Sequence, residues 1–139
     1  MDQFREMTIN DYDSSIDLWK RTEGMGLSES DSRDAIAAYL NRNAGMSFVC
    51  VNDLKVIGTI LAGHDGRRGF IYHVAVDPLY RGKSIAKQLV TLSLDKLKLE
   101  GITKCHLMVI EDNEIGKQFW AKVGWQRRSG LLLYSSTIT

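Results

Sequence analysis

Proline is nearly absent from this 139-residue chain, and Pro78 is the only one. That excludes a Pro-rich linker, and no repeat, low-complexity tract or Gly/Ser-rich stretch divides the sequence, so residues 1–139 read as one domain. Cysteine is scarce too. Cys50 and Cys105 are too few for a disulfide framework, and both lie in apolar, strand-like runs without metal-ligand neighbours, which fits two buried reduced thiols and no metal site. No sign of charge prevails: 18 Lys+Arg against 17 Asp+Glu leave a net charge of +1, which gives no general attraction to nucleic acid or anionic membrane. No apolar run approaches the ~18 residues of a membrane span. Met1-Asp2-Gln3-Phe4-Arg5 lacks the pattern of a secretory signal, so the expected location is cytoplasmic. The P-loop pattern Gly-x-x-x-x-Gly-Lys-Ser/Thr is also missing, which removes that class of nucleotide-binding protein.

What is present is ordinary globular material, 44% hydrophobic and 25% charged. Gln3 to Met7 forms a short strand candidate, and Asn10 or Asp11 can cap a first helix whose stripe includes Ile16 and Trp19. Gly24 and Gly26 break that helix, and a second runs from about Ser30 to the Asn43-Ala44-Gly45 stop. Three strand-like runs follow, Ser47 to Val51, Lys55 to Ala62 and Phe70 to Val76, joined by Asn52-Asp53 and by Gly66 to Gly69 as an antiparallel meander. Ala86, Leu89, Val90, Leu94 and Leu97 then recur at helical spacing from Ser84 to Glu100. Lys104 to Ile110 reads as a strand, Asn113 to Val123 as a helix, and Trp125 to Arg128 and Leu131 to Ser136 as two last strands. The predicted order is β-α-α-β-β-β-α-β-α-β-β, an α/β domain with a mixed sheet and helices on both faces.

The segment with most chemistry is Arg81-Gly82-Lys83-Ser84-Ile85-Ala86, between the strand ending at Val76 and the helix starting near Ser84. Free N–H groups of a first helical turn and the helix dipole favour an anion there, small residues admit a bulky pyrophosphate, and Arg81 and Lys83 offset its charge. Plain turn chemistry accounts for a glycine and a basic residue equally well.

Three matches make the chain resemble the GCN5-related N-acetyltransferase (GNAT) family, in its compact stand-alone form, over nearly its whole length. The family's pyrophosphate loop Arg/Gln-x-x-Gly-x-Gly/Ala is matched by Arg81, Ser84 and Ala86. Its preceding strand is matched by Val74-Ala75-Val76, and its C-terminal signature by Asn113, Gly116, Phe119, Trp120, Lys122, Gly124 and Trp125. The chain departs from the pattern twice. Ser84 stands for the loop glycine, and Trp120 stands where many members place a tyrosine thought to protonate the leaving thiolate. Indole cannot supply a proton, and a thiol pKa near ~8.5 makes thiolate a fair leaving group without one.

The resemblance implies transfer of an acetyl group from acetyl-CoA to a primary amine of a small molecule, peptide or protein, by direct attack in a ternary complex. A CoA-binding sensor without significant turnover is the alternative, its one hint being the missing tyrosine. The cofactor residues implied are Val74 and Val76, whose backbone holds the pantetheine arm and polarises the thioester oxygen, with Arg81, Gly82, Lys83, Ser84, Ile85, Ala86, Asn113 and Trp120. A lysine-like amine with a pKa of ~10.4 costs about 4.6 kcal/mol to deprotonate at pH 7, so a base is useful. His73, in the strand lining the cleft, and Glu111, just past the next strand, are the catalytic candidates. Strand alternation equally places His73 on the far side of the sheet, and Glu111 equally serves as a dipole-favoured acid at a helix start. Glu23, in the glycine-broken loop, is expected to recognise a cationic acceptor. By family analogy a homodimer through the C-terminal strands is also expected.

Overall fold

The computed structural model describes residues 2–139. Nine regular elements alternate in the order β1 (Gln3–Glu6), α1 (Tyr12–Lys20), α2 (Arg33–Arg42), β2 (Phe48–Asn52), β3 (Lys55–His64), β4 (Gly69–Val76), α3 (Ile85–Leu99), β5 (Cys105–Leu107) and α4 (Glu114–Lys122), with three short 3₁₀ turns between them. The strands form one mixed sheet in sequence order, antiparallel throughout except where β5 joins β4 in parallel. The α/β architecture expected from the sequence is therefore present.

The helices cover both faces because two strands bury side chains on both. Every residue of β3 from Val56 to Gly63 is buried, a continuous run, apolar but for Thr59, of the kind a sheet covered on two sides requires. On one face Leu18 and Trp19 of α1 and Ile36 of α2 pack on Val49, Val56, Leu61 and Ala75. On the other, Ile85, Leu89, Val90 and Leu97 form the inner stripe of α3 and meet Phe48, Cys50, Ile57, Ile60 and Val76. Truncating a side chain as enclosed as Leu89 costs about 2–5 kcal/mol. Gly58 sets the distance of α3 from the sheet: a Cβ there would lie 3.0 Å from Ile85 Cγ2 and 3.2 Å from Leu89 Cδ1.

Local chemistry moves several boundaries from their expected places. α1 is preceded by a 3₁₀ turn, Ile9–Asp11, in which Asp11 accepts from the Thr8 N–H and from Arg5 instead of capping the helix. α2 starts at Arg33, not near Ser30, because Ser32 accepts from the Ala35 N–H and caps it. Burial pushes the thiols of Cys50 and Cys105 up to about 11, and both are unpaired. The two last strands are a correction: neither Trp125 to Arg128 nor Leu131 to Ser136 is a strand in this structure. Leu131 to Tyr134 is apolar at four consecutive positions and stays 71–85% exposed. Such a run has no solvent face, and without layers on both sides it gains nothing from joining a sheet.

Candidate active site

β4 and β5 part company soon after they meet. They pair only at Gly69, Phe70 and Ile71 with Cys105, His106 and Leu107. From Tyr72 onward β4 has no neighbour on that side, while the chain leaves β5 toward α4. The fork opens two cavities. The smaller, about 250 Å³, is walled by Thr22 to Gly26, Ile71 to Val74, Leu107 to Ile110, Asn113 and Trp120. The larger, about 570 Å³, runs along Val74 to Val76 to the start of α3 and is roofed by α4. Thr22, Glu23, Val74, Asn113 and Trp120 belong to both walls and mark where the cavities meet.

A bulge shapes β4 beside this junction. Thr59 faces Ala75 and Leu61 faces Tyr72, so two steps on β3 are matched by three on β4. His73 absorbs the mismatch at φ 50, a left-handed conformation uncommon outside glycine. Three contacts hold it. Thr59 Oγ1 donates to the His73 carbonyl at 2.8 Å and itself accepts from Trp19 Nε1 at 2.9 Å. The Trp19 ring lies 4.6 Å from the imidazole. His73 Nε2 donates to Asp31 Oδ1 at 2.6 Å, with both side chains largely buried. Asp31 Oδ2 accepts from the Ser28 N–H, and the Asp31 carbonyl from Tyr12 OH, so one residue fastens the α1–α2 loop to the bulge.

The start of α3 is built for an anion. Asp77 is buried, accepts from the Leu79 N–H and lies 3.5 Å from Arg21 and 3.6 Å from Lys55. Burial opposes its ionisation, but that hydrogen bond and the two cations outweigh it and hold the carboxyl below the ordinary range. Gly82 and Ser84 both have left-handed φ, 84 and 63. The first helical bond is from Gln88 N–H to Ser84 O, and Ser84 makes no side-chain cap, so the amides of Ile85, Ala86 and Lys87 precede the ladder at the cavity wall. A phosphate fits this cradle, and an extended arm fits the unpaired edge of β4.

Of the residues expected to bind cofactor, Val74, Val76, Arg81, Gly82, Ser84, Ile85, Ala86, Asn113 and Trp120 line the larger cavity. Lys83 does not; its ammonium lies over the Tyr80 ring, 5.4 Å from the centroid. Arg81 turns back, with Nε donating to the Val76 carbonyl at 3.3 Å. Asn113 caps α4 by accepting from the Gly116 N–H, and its Nδ2 lies where a Cβ on Gly24 would stand, 2.5 Å away. Gly24, at φ 74, is therefore required twice over. Trp120 packs between Phe119 and Trp125, each 4.9 Å away between centroids.

The catalytic candidates are not brought together. His73 lines the smaller cavity but is tied to Asp31, while Glu111 is exposed in the turn before α4 and lines neither cavity. Glu23 reaches both walls and is the one carboxylate among the described residues that does. Sequence reasoning missed Asp31, Tyr80, Lys87 and the Met25 and Met108 walls. Only Asp31 had a signal, the Ser28-x-x-Asp31 spacing of a capping box.

Residues 12–125 match the family described as the acetyltransferase (GNAT) family. An acetyltransferase of Pectobacterium atrosepticum is 33% identical over 112 residues, covering 81% of this chain and 79% of that protein. An acetyltransferase of Sodalis glossinidius is 30% identical over 131 residues, covering 94% and 92%. In fold the chain is similar to the PaiA N-acetyltransferase of Thermoplasma acidophilum in complex with coenzyme A, with a TM-score of 0.75, 22% identity and 89% of each chain covered. It is similar as well to AAC(6')-Iy in complex with the bisubstrate analogue CoA-S-monomethyl-acetylneamine, with a TM-score of 0.76, 18% identity and 99% of each chain covered. The chain belongs to the GNAT acetyltransferase family, and its reaction is the transfer of an acetyl group from acetyl-CoA to an amine.

Proposed function

We propose that this acetyltransferase works by direct transfer in a ternary complex, with the acetyl donor in the larger cavity and the amine in the smaller one. The carrying observation is that the two cavities meet at Thr22, Glu23, Val74, Asn113 and Trp120, on an unpaired stretch of strand. When bound, acetyl-CoA supplies a thioester carbonyl for the amine to attack. The amides at the start of α3, with Arg81 and Lys87 on the same wall, would hold its pyrophosphate. The free backbone groups of β4 between Tyr72 and Val76 would hold its arm and donate to the carbonyl oxygen as charge develops there.

Glu23 holds the incoming ammonium at the junction and takes up its proton, directly or through a water. His73, bound to Asp31, keeps the bulge in shape. Trp120 packs against the bound arm and gives no proton. Two unpaired thiols suit a reducing compartment, and we place the enzyme in the cytoplasm.

The test is to replace Ser84 and Ala86 together by phenylalanine. Calorimetry is expected to show CoA binding abolished, with the far-ultraviolet dichroism of the parent retained. Undiminished affinity would overturn the pyrophosphate assignment. Initial-rate plots that intersect support the ternary complex, whereas parallel lines would indicate an acetylated enzyme instead.

A further inference from the structure

The proposal of direct transfer leaves the acceptor open, and the smaller cavity narrows it. We propose that the acceptor is a small primary monoamine carried on an apolar or aromatic body, not a polycation. The inference rests on the direct-transfer reading and on three features of the cavity.

The first is charge. Glu23 is the one carboxylate among the described residues on either wall, while the other charged side chains of the larger cavity, Arg81, Lys87 and Lys122, are all basic. One ammonium finds a partner at the junction. A second finds no further carboxylate on either wall and, toward the larger cavity, faces those cations.

The second is the lining itself. Three of the large apolar side chains left exposed on this protein ring the smaller cavity: Met108 at 60%, Ile110 at 50% and Tyr72 at 37%. Met25 and Trp120 add to this apolar side, and Thr22, Glu23, His73 and Asn113 make the rest of the wall polar. Ile110 packs beside Gly26, its Cδ1 3.8 Å from where a Cβ on that residue would stand. Apolar side chains gathered at the mouth of a cleft mark a surface that a ligand covers. Tyr72 and Trp120 add two aromatic rings, suited to an aromatic body and to the cation beside it.

The third is size. At about 250 Å³, less than half of the larger one, the cavity matches a small ligand in scale. A multi-ring aminoglycoside would extend beyond its walls.

The experiment measures kcat/KM at saturating acetyl-CoA for ethylamine, butylamine, hexylamine and phenethylamine, and for spermidine and neamine. The alkyl series is expected to rise about fourfold for each methylene buried, with phenethylamine at or near the top and both polycations below it. Replacing Met108 by serine, an exposed position where folding is safe, is expected to flatten that rise. Glu23→Gln is expected to lower kcat/KM across all monoamines while CoA affinity stays at the parent value. A flat alkyl series, or spermidine or neamine ahead of phenethylamine, would overturn this inference and leave direct transfer standing. No turnover on any amine by an enzyme that still binds CoA would overturn direct transfer, and the inference with it.

Discussion

Replacing Asp31 by asparagine separates two roles for the histidine beside it. In the folded protein Asp31 accepts from His73 Nε2 at 2.6 Å and from the Ser28 N–H at 3.0 Å, in a largely buried setting. Asparagine keeps the volume and one acceptor oxygen but removes the charge. A hydrogen bond to a charged group contributes about 1.5–3 kcal/mol and a neutral one about 0.5–1.5; one of the two bonds is lost outright and the other becomes neutral, so the loss is about 2.5–4.5 kcal/mol. For a chain of this size that lowers the unfolding midpoint by about 8–18 °C. If His73 only positions the bulge, the loosened α1–α2 loop raises KM for the amine by about tenfold at most, and the acidic limb of the kcat/KM profile stays in place. His73→Asn should behave alike, since asparagine tolerates the left-handed backbone at φ 50. Were His73 the general base, that variant would lose about 10²–10⁴ in kcat and the acidic limb would move or vanish. Thermal unfolding and kcat/KM from pH 5 to 9 measure both. A hundredfold loss in kcat with a displaced limb would refute the positioning role and assign the proton to His73.

Ser84 has left-handed φ without any capping hydrogen bond to lose, and a non-glycine residue in that region costs about 1–2 kcal/mol, so Ser84→Gly is expected to raise the unfolding midpoint and keep CoA affinity. A lower midpoint in calorimetry would show that the hydroxyl holds something after all. Trp120→Phe should retain turnover within about tenfold and weaken CoA binding, because packing, not a proton, is lost; a kcat down by orders of magnitude at unchanged affinity would contradict this. Asp77 has its folded pKa depressed, so its contribution to stability is full above the unfolded value of ~3.9 and is lost as pH falls through the lower folded value. Asp77→Asn should therefore lower the midpoint at pH 7 and cost progressively less toward pH 2; an equal deficit at both would refute the ionic origin.

Much of this was legible in the residues. The run of β3, apolar but for Thr59, and the stripe Ile85, Leu89, Val90 and Leu97 specify a sandwiched strand and a one-faced helix whatever surrounds them. The free amides at the start of α3 were legible as well, since a turn of small residues between a strand and a helix leaves the first helical turn open. Glu23 was singled out for a cationic acceptor, and the loop that carries it does reach the junction. The bulge was not legible. It exists only as a mismatch between β3 and β4, and nothing in Tyr72-His73-Val74 says that β3 will offer one residue fewer. The Asp31–His73 pair was hidden for the same reason, joining positions 42 apart through that misfit. Leu131 to Tyr134 failed in the opposite direction: the residues have strand character, but a strand also needs an edge to pair with.

An unpaired strand edge is normally a template on which a second molecule adds its own strand, the first step toward aggregation. β4 beyond Ile71 is such an edge, yet it lies in a slot whose opposite wall is Phe119 and Trp120 of α4 and Val123 just after it. A foreign strand arrives with its own sheet and meets α4 across the slot, whereas a single thin chain fits between the two. The sheet edge on this side is blunt as well, because β5 offers only Cys105–Leu107. The fork thus works as a filter on this side of the sheet: it keeps backbone donors and acceptors open to a slender ligand while giving another strand little room to add to β4.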